Sequence, residues 1–145
     1  MKKILLLLLP VLCLLAACAP KESGGSFPAH VTVDVLEAQK SPELIPAEKA
    51  KLLPENGILL DKDVTYTPGE TVFRLMVRTL QKEKLHFDAD PTNYFKAIGN
   101  LYAGDCGEMS GWLYTVNGES PTVGASEYVL HEGDVVRFYY VTTFE

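Results

Sequence analysis

The reactive side chain that stands out in this sequence is a thiol set among carboxylates. Cys106 lies in the polar segment Asp105-Cys106-Gly107-Glu108-Met109. Nearby negative charge disfavours the thiolate, which is the form of cysteine that attacks substrates and binds metals. We interpret Cys106 as a buried or capped structural thiol. The alternatives are a reactive or ligand-coordinating thiol and a disulfide with a partner chain.

Metal and catalytic signatures are weak. Asp88 and Asp90 have the spacing of the first ligands in a calcium loop, but the twelfth position is Gly99 instead of a bidentate glutamate. The three histidines are scattered without zinc-ligand spacing: His30, His86 and His131. We find no nucleophile elbow, phosphate-binding glycine loop or Cys/His dyad. The sequence therefore predicts a protein that is not an enzyme and has no metal or cofactor.

The N-terminus has the three parts of an export signal. Met1-Lys2-Lys3 is basic, Ile4 to Leu15 is apolar, and Leu15-Ala16-Ala17-Cys18 places small residues before a cysteine. This tetrapeptide resembles the lipobox of bacterial lipoproteins. The resemblance implies that residues 1–17 are a signal peptide and that Cys18 carries a diacylglycerol. We expect the protein to be anchored on the outer face of the cell membrane or, in a two-membrane bacterium, in the outer membrane. An ordinary cleaved signal with an incidental cysteine is the alternative.

Charge narrows the choice of partners. Without residues 1–17 the chain has 11 basic and 19 acidic residues. Nucleic-acid binding and a polybasic grip on anionic lipid both require clustered Lys and Arg. The composition therefore predicts no nucleic-acid partner and no polybasic contact with anionic lipid.

Periodicity predicts the elements that must position any site. Residues 18–29 have the composition of a flexible tether, and residues 30–145 form one domain. Alternation predicts a strand over His30–Glu37. Further β-like segments predict strands over Ile58–Tyr66, Tyr94–Ile98, Gly111–Val116, Glu127–Leu130 and Val135–Thr142. Residues 47–53 could form one or two helical turns. Thr71 is the predicted N-cap of a helix whose buried face comprises Val72, Leu75, Met76, Thr79 and Leu80. Asn117-Gly118 predicts a tight hairpin turn. The predicted class is α+β.

Two stretches carry a family resemblance. They are Thr67-Pro-Gly-Glu-Thr-Val72 and Ser110-Gly-Trp-Leu-Tyr-Thr-Val-Asn-Gly118, with Pro121-x-x-Gly124 and Leu130-x-x-Gly-Asp-Val-Val136 after them. Together they resemble the transcobalamin-like C-terminal domain, over about residues 30–143. The resemblance implies a β-grasp-like mixed sheet with one main helix packed on one face. In the animal cobalamin carriers the ligand lies between this domain and a helical barrel, which has no counterpart in these 145 residues.

The resemblance implies a ligand surface on the strands 93–98 and 111–116. The candidate ligand-binding residues are Tyr94, Phe95, Tyr102, Trp112 and Tyr114. Trp112 and Tyr114 share one side of their strand because side chains alternate. Trp112 could serve as a core aromatic or as a stacking surface for a ligand ring. The exposed tyrosines suit recognition, although they could also line the sheet.

Two functions follow as hypotheses. The first is a membrane-anchored module that binds a small ligand, cobalamin or another corrinoid, and presents it to an uptake-complex partner. The second is an adhesion or scaffold domain that binds protein or glycan through a sheet edge. Aromatics that converge on one concave patch favour the first, and aromatics dispersed along a flat face favour the second.

Overall fold

A computed structural model describes residues 24–144 of the chain. The predicted signal peptide, Cys18 and the first part of the predicted tether lie outside the described residues. The main sheet has four strands in the order β2-β1-β7-β6. They are β1 (Phe27–Asp34), β2 (Ile58–Tyr66), β6 (Gly111–Val116) and β7 (Val135–Val141). β1 and β7 are parallel, and the two outer pairs are antiparallel.

A second, smaller sheet has the order β3-β4-β5. Its antiparallel strands are β3 (Phe87–Ala89), β4 (Phe95–Ile98) and β5 (Leu101–Tyr102). The helices are α1 (Ala47–Ala50) and α2 (Val72–Lys82), and two short 3-10 turns precede α1. The predicted α+β class is therefore confirmed. The predicted main helix is accompanied by a small sheet.

α2 forms where its periodicity predicts. Thr71 is its N-cap, and the Thr71 hydroxyl accepts a hydrogen bond from the Arg74 N–H at 3.4 Å. The five residues predicted to face the core are the five that are buried. Thr79 satisfies its buried hydroxyl by donating to the Leu75 carbonyl at 2.8 Å. The helix is thus fixed by one apolar face and one polar cap.

The core is one continuous cluster. Val31, Val33 and Val35 of the β1 segment are fully buried, as the alternation predicts. Phe95 of β4 packs edge-on against Phe138 of β7, with ring centroids 5.3 Å apart. The core residues of the described chain all lie between positions 29 and 140. One uninterrupted segment therefore supplies the whole of this core.

The opposite face of the main sheet is polar at β1 and β2, whereas β6 and β7 place Leu113, Val135 and Tyr139 on it. The His30 ring lies 2.7 Å from an Asp61 carboxylate oxygen and 2.8 Å from one of Asp63. Arg137 donates two hydrogen bonds to Asp34, at 2.6 and 2.9 Å. Asp34 is almost fully buried while Arg137 is partly exposed. These ion pairs tie β1 to both of its neighbours.

The predicted strand over residues 127–130 is wrong. This segment forms an isolated bridge and turns, and its backbone serves α2 instead. The Val72 N–H donates to the Tyr128 carbonyl at 3.0 Å, and the Phe73 N–H donates to the Ala125 carbonyl at 2.8 Å. The first N–H groups of a helix have no partner within the helix, so the loop satisfies them.

The remaining boundaries differ slightly from prediction. β1 begins at Phe27, three residues before the predicted strand, and β3 and β5 were not predicted. The turn at Asn117-Gly118 is confirmed, with positive φ at both residues. Within residues 24–144 we find no helix with the length and apolar character needed to cross a membrane.

Candidate ligand-binding site

A cavity of about 400 Å³ lies along the free edge of β6. Its walls are residues 92–95, residues 112–114 of β6 and five residues of the loop between β6 and β7, with Phe138 contributing from β7. Its volume falls within the range of small-molecule sites. None of its lining residues is Lys, Arg, His, Asp or Glu. The cavity therefore suits an uncharged ligand or the uncharged part of a larger one.

Tyr94 forms one wall, and hydrogen bonds within the loop of residues 90–94 hold it there. One oxygen of Asp90 accepts hydrogen bonds from the Thr92 N–H (2.8 Å), the Thr92 hydroxyl (2.6 Å) and the Tyr94 N–H (3.1 Å). The hydrogen bond from the Thr92 hydroxyl is the largest cause that lowers the pKa of Asp90. Asn93 has a φ of 64°, which asparagine tolerates well. Asp90 thus fixes the direction in which Tyr94 points.

The Tyr94 hydroxyl lies against Gly111. It accepts a hydrogen bond from the Trp112 N–H at 3.2 Å. A Cβ on Gly111 would lie 2.6 Å from the Tyr94 Oη and 3.2 Å from the Phe144 ring. Gly111 is therefore required for this close approach, and burial raises the pKa of Tyr94.

Tyr114 forms the opposite wall. Its ring stacks on Phe138 with centroids 5.5 Å apart and planes 20° from parallel. Its hydroxyl donates to the Val123 carbonyl at 2.6 Å, which holds the β6–β7 loop over the cavity. Burial raises the pKa of Tyr114. This side chain therefore both lines the cavity and anchors its roof.

Phe95 and Trp112 lie deeper. Each is 2% exposed, so both are core aromatics that reach the cavity from behind. The Trp112 Nε1–H donates to the Leu101 carbonyl at 3.0 Å, and its ring meets Tyr140 edge-on at 5.3 Å. Trp112 therefore occupies a core position, and it also borders the cavity.

The backbone of β6 adds polar groups to the wall. Successive residues of an antiparallel strand direct their N–H and C=O groups to alternate sides. The Trp112 N–H points to Tyr94, and the Val116 N–H donates to the Glu119 carbonyl at 2.9 Å. Both directions lead away from β7. Tyr114, midway between them, therefore directs its N–H and C=O away from β7 as well, towards the edge along which the cavity lies.

Tyr102 does not belong to this site. Its hydroxyl lies 3.0 Å from the His86 Nε2, and the Lys49 ammonium lies 4.8 Å from its ring centroid. Four of the five candidate aromatics therefore meet at one cavity, and Tyr102 stands apart on the surface near α1.

Several cavity residues were not predicted. Ser120, Pro121 and residues 124–126 come from the β6–β7 loop. Pro121-x-x-Gly124 was part of the motif behind the resemblance but was not assigned to a site. Motif residues in an otherwise irregular loop were the available signal.

The other reactive groups have structural environments. Cys106 is 3% exposed, and burial is the largest cause that raises its pKa, as expected for a structural thiol. Asp90 staples the loop before β4 instead of starting a calcium site. Across the described part of the chain, no three His, Cys, Asp or Glu side chains are arranged to hold a metal ion.

Two solved structures are similar to this chain. Haptocorrin, solved in complex with Cbi, aligns with a TM-score of 0.59 at 14% identity, over 83% of this chain and 26% of haptocorrin. The chain therefore spans about a quarter of that protein's length. A protein from Ruminococcus gnavus ATCC 29149, to which metal binding has been ascribed, aligns with a TM-score of 0.45 at 12% identity, over 79% of this chain and 95% of its own.

At this identity the haptocorrin match shows a shared fold, which is the fold implied by the transcobalamin-like resemblance. No curated protein matches the sequence. Residues 69–142, half of the chain, match the family described as "Domain of unknown function (DUF4430)". This segment contains α2, the small sheet, β6, β7 and every cavity residue, and the chain therefore belongs to the DUF4430 family.

Proposed function

We propose that this protein is an extracytoplasmic lipoprotein, anchored through Cys18, whose DUF4430 domain binds a small ligand of the corrinoid class without catalysis. The observation that carries the proposal is the convergence of Tyr94, Phe95, Trp112 and Tyr114 on one concave cavity. Convergent aromatic walls with a few polar groups are typical of small-molecule sites. The shared fold with haptocorrin, whose structure holds Cbi, points to the same ligand class.

The polar groups of the cavity suit this ligand. Corrinoids are flat rings that carry carboxamide side chains, which donate and accept hydrogen bonds without a net charge. The N–H and C=O of Tyr114 offer one donor and one acceptor side by side. A carboxylate would find no cationic side chain in the lining. We therefore expect amide-bearing corrinoids to bind more tightly than their carboxylate analogues.

The adhesion alternative has less support at this edge. Strand addition requires a row of free backbone groups. On the outer side of β6, Tyr94 occupies the Trp112 N–H and the Glu119 carbonyl occupies the Val116 N–H. Only Tyr114 remains between them, which is too short an edge for an added strand.

Titration tests the proposal. Residues 18–145 with Cys18→Ser retain the entire core, so this chain can be titrated with cobinamide and cobalamin by calorimetry and Trp112 fluorescence. We expect saturable binding. Tyr94→Ala should weaken it about tenfold or more, since a buried aromatic contact contributes at least about 1.4 kcal/mol.

Tyr102→Ala is the matched control. Tyr94 and Tyr102 are 36% and 37% exposed, and only Tyr94 lines the cavity. The control should bind like the wild type. If neither cobinamide nor cobalamin binds, the ligand class is rejected. Equal losses of affinity in Tyr94→Ala and Tyr102→Ala would reject the site.

A further inference from the structure

A band of positive charge runs along the edge of the molecule opposite the cavity. Arg74, Arg78 and Lys82 are four residues apart and therefore lie on one side of α2. All three are exposed. The Arg78 guanidinium donates to the Thr65 carbonyl of β2 at 2.7 Å, which places α2 along that edge strand. Lys62 of β2 completes the band, which we call the basic edge.

Part of this charge is uncompensated. Arg78 pairs with Glu70 at 3.1 Å, and Lys62 pairs with Glu83 at 3.3 Å. Neither Arg74 nor Lys82 has a carboxylate within 4.0 Å among residues 24–144. The basic edge thus keeps two free cations in a protein whose net charge is −6.

The remaining charge is distributed asymmetrically. The loops beside β6 carry Glu108, Glu119 and Glu127. β2 and β6 are the two outer strands of the main sheet, separated by two strands. With a strand spacing of about 4.8 Å they lie about 14 Å apart. The positive side of the domain is therefore the α2 side of β2, since Asp61 and Asp63 of the same strand lie on the other face of the sheet with His30. The cavity lies on the negative side.

The N-terminal segment meets the domain at the positive side. Ser26, which leads into β1, borders the same groove as Arg74 and Arg78. Only residues 19–25 separate it from Cys18. Eight residue steps span at most about 28 Å. A lipid on Cys18 would therefore hold the basic edge close to the membrane surface.

We propose that the basic edge docks on anionic phospholipid headgroups, so that the cavity at β6 faces away from the membrane. This inference depends on the proposed membrane anchor but not on the identity of the ligand. An acidic protein close to an anionic surface is repelled on its acidic sides and attracted on its basic one. The sequence did not predict a cluster of basic residues, because the four cations are spread over residues 62–82. The fold brings them together.

Vesicle binding without the lipid anchor tests the inference. Residues 18–145 with Cys18→Ser would be co-sedimented with vesicles of phosphatidylcholine alone or mixed equally with phosphatidylglycerol, with no corrinoid present. We expect binding to the anionic vesicles only. Raising the salt from about 0.01 M to about 0.15 M shortens the screening length from about 30 Å to about 8 Å and should weaken this binding strongly.

Charge reversal locates the surface. Arg74→Glu with Lys82→Glu breaks no ion pair described above. Each lost cation near the surface should weaken partitioning about fivefold, so the double reversal should lower it at least about twentyfold. Lys51→Glu with Lys96→Glu is the control, because it changes the net charge equally at exposed sites elsewhere. Circular dichroism would verify that each variant is folded.

The outcomes separate clearly. Loss in the first variant with retention in the control supports docking through the basic edge. Equal losses in both would show a response to net charge alone and overturn the proposal, as would failure of the wild type to bind anionic vesicles at low salt. Corrinoid titration of the same proteins is independent of these results, so failure here leaves the cavity proposal standing.

Discussion

Gly111 and Tyr94 should be energetically coupled, because the Tyr94 hydroxyl occupies the space that a side chain at residue 111 would need. In Gly111→Ala the new methyl would lie 2.6 Å from the Tyr94 Oη, so the tyrosine must move and its hydrogen bond with the Trp112 N–H is lost. That loss costs about 1 kcal/mol. Replacing glycine at an ordinary φ returns about 0.4–1 kcal/mol. We expect a net change in the free energy of unfolding of only about 0–0.6 kcal/mol.

Tyr94→Phe removes the same hydrogen bond without the crowding. It should therefore cost about 1 kcal/mol by itself. In the double variant the hydrogen bond is lost once and the methyl fits where the hydroxyl was. The double variant should be no less stable than Tyr94→Phe alone, which gives a coupling energy of about 1 kcal/mol between the two sites.

Urea denaturation of the four proteins measures this coupling. Gly111→Ala with Tyr102→Phe is the matched control, because the Tyr102 hydroxyl contacts His86 instead of β6. The control pair should be additive. Additive effects of Gly111→Ala and Tyr94→Phe would refute the placement of Tyr94 on the edge of β6, and with it this wall of the cavity.

Other groups give further predictions. Asp63 and Asp61 raise the pKa of His30. Their pairing with His30 therefore stabilises the fold fully below the unfolded pKa of about 6.5, and this stabilisation is lost as pH rises through the folded pKa. The melting temperature of His30→Gln should fall below that of the wild type near pH 5.5 and match it near pH 9. Arg137→Met leaves the Asp34 carboxylate buried without its partner, and urea denaturation should show a loss of about 2–3 kcal/mol, less than for a fully buried pair because the arginine is partly exposed. Burial raises the pKa of Tyr140 to about 12, so phenolate absorbance should show one tyrosine that ionises last. The buried Cys106 thiol should react with a maleimide far more slowly in the native protein than in urea, and equal rates would contradict its burial.

Periodic segments were predictable because their burial pattern alone determines them. The buried face of α2 and the exact bounds of β2 and β6 agree with the sequence. Residues 127–130 have a strand-like composition, yet they form no strand, and the carbonyls of Tyr128 and Ala125 accept hydrogen bonds from the first turn of α2 instead. That competition is a tertiary effect, which no local pattern contains.

The site was predictable only in part. The alternation of Trp112 and Tyr114 placed both on one side of β6, and the resemblance added the strand that contains Phe95. Convergence itself depends on how the small sheet and the β6–β7 loop pack against that strand. Tyr102 lies outside the cavity, on the two-residue strand β5, after which the chain turns.

The parallel pairing of β1 with β7 has a consequence for how this chain folds. The central ladder joins residues about a hundred positions apart, as the Asp34–Arg137 pair shows with a separation of 103. Such non-local topology slows folding, because a long loop must close before its contacts are made. β1 cannot complete its pairing in the centre of the sheet until β7 has emerged. For a chain with the proposed export signal, this delay would keep it unfolded during translocation and confine folding to the far side of the membrane.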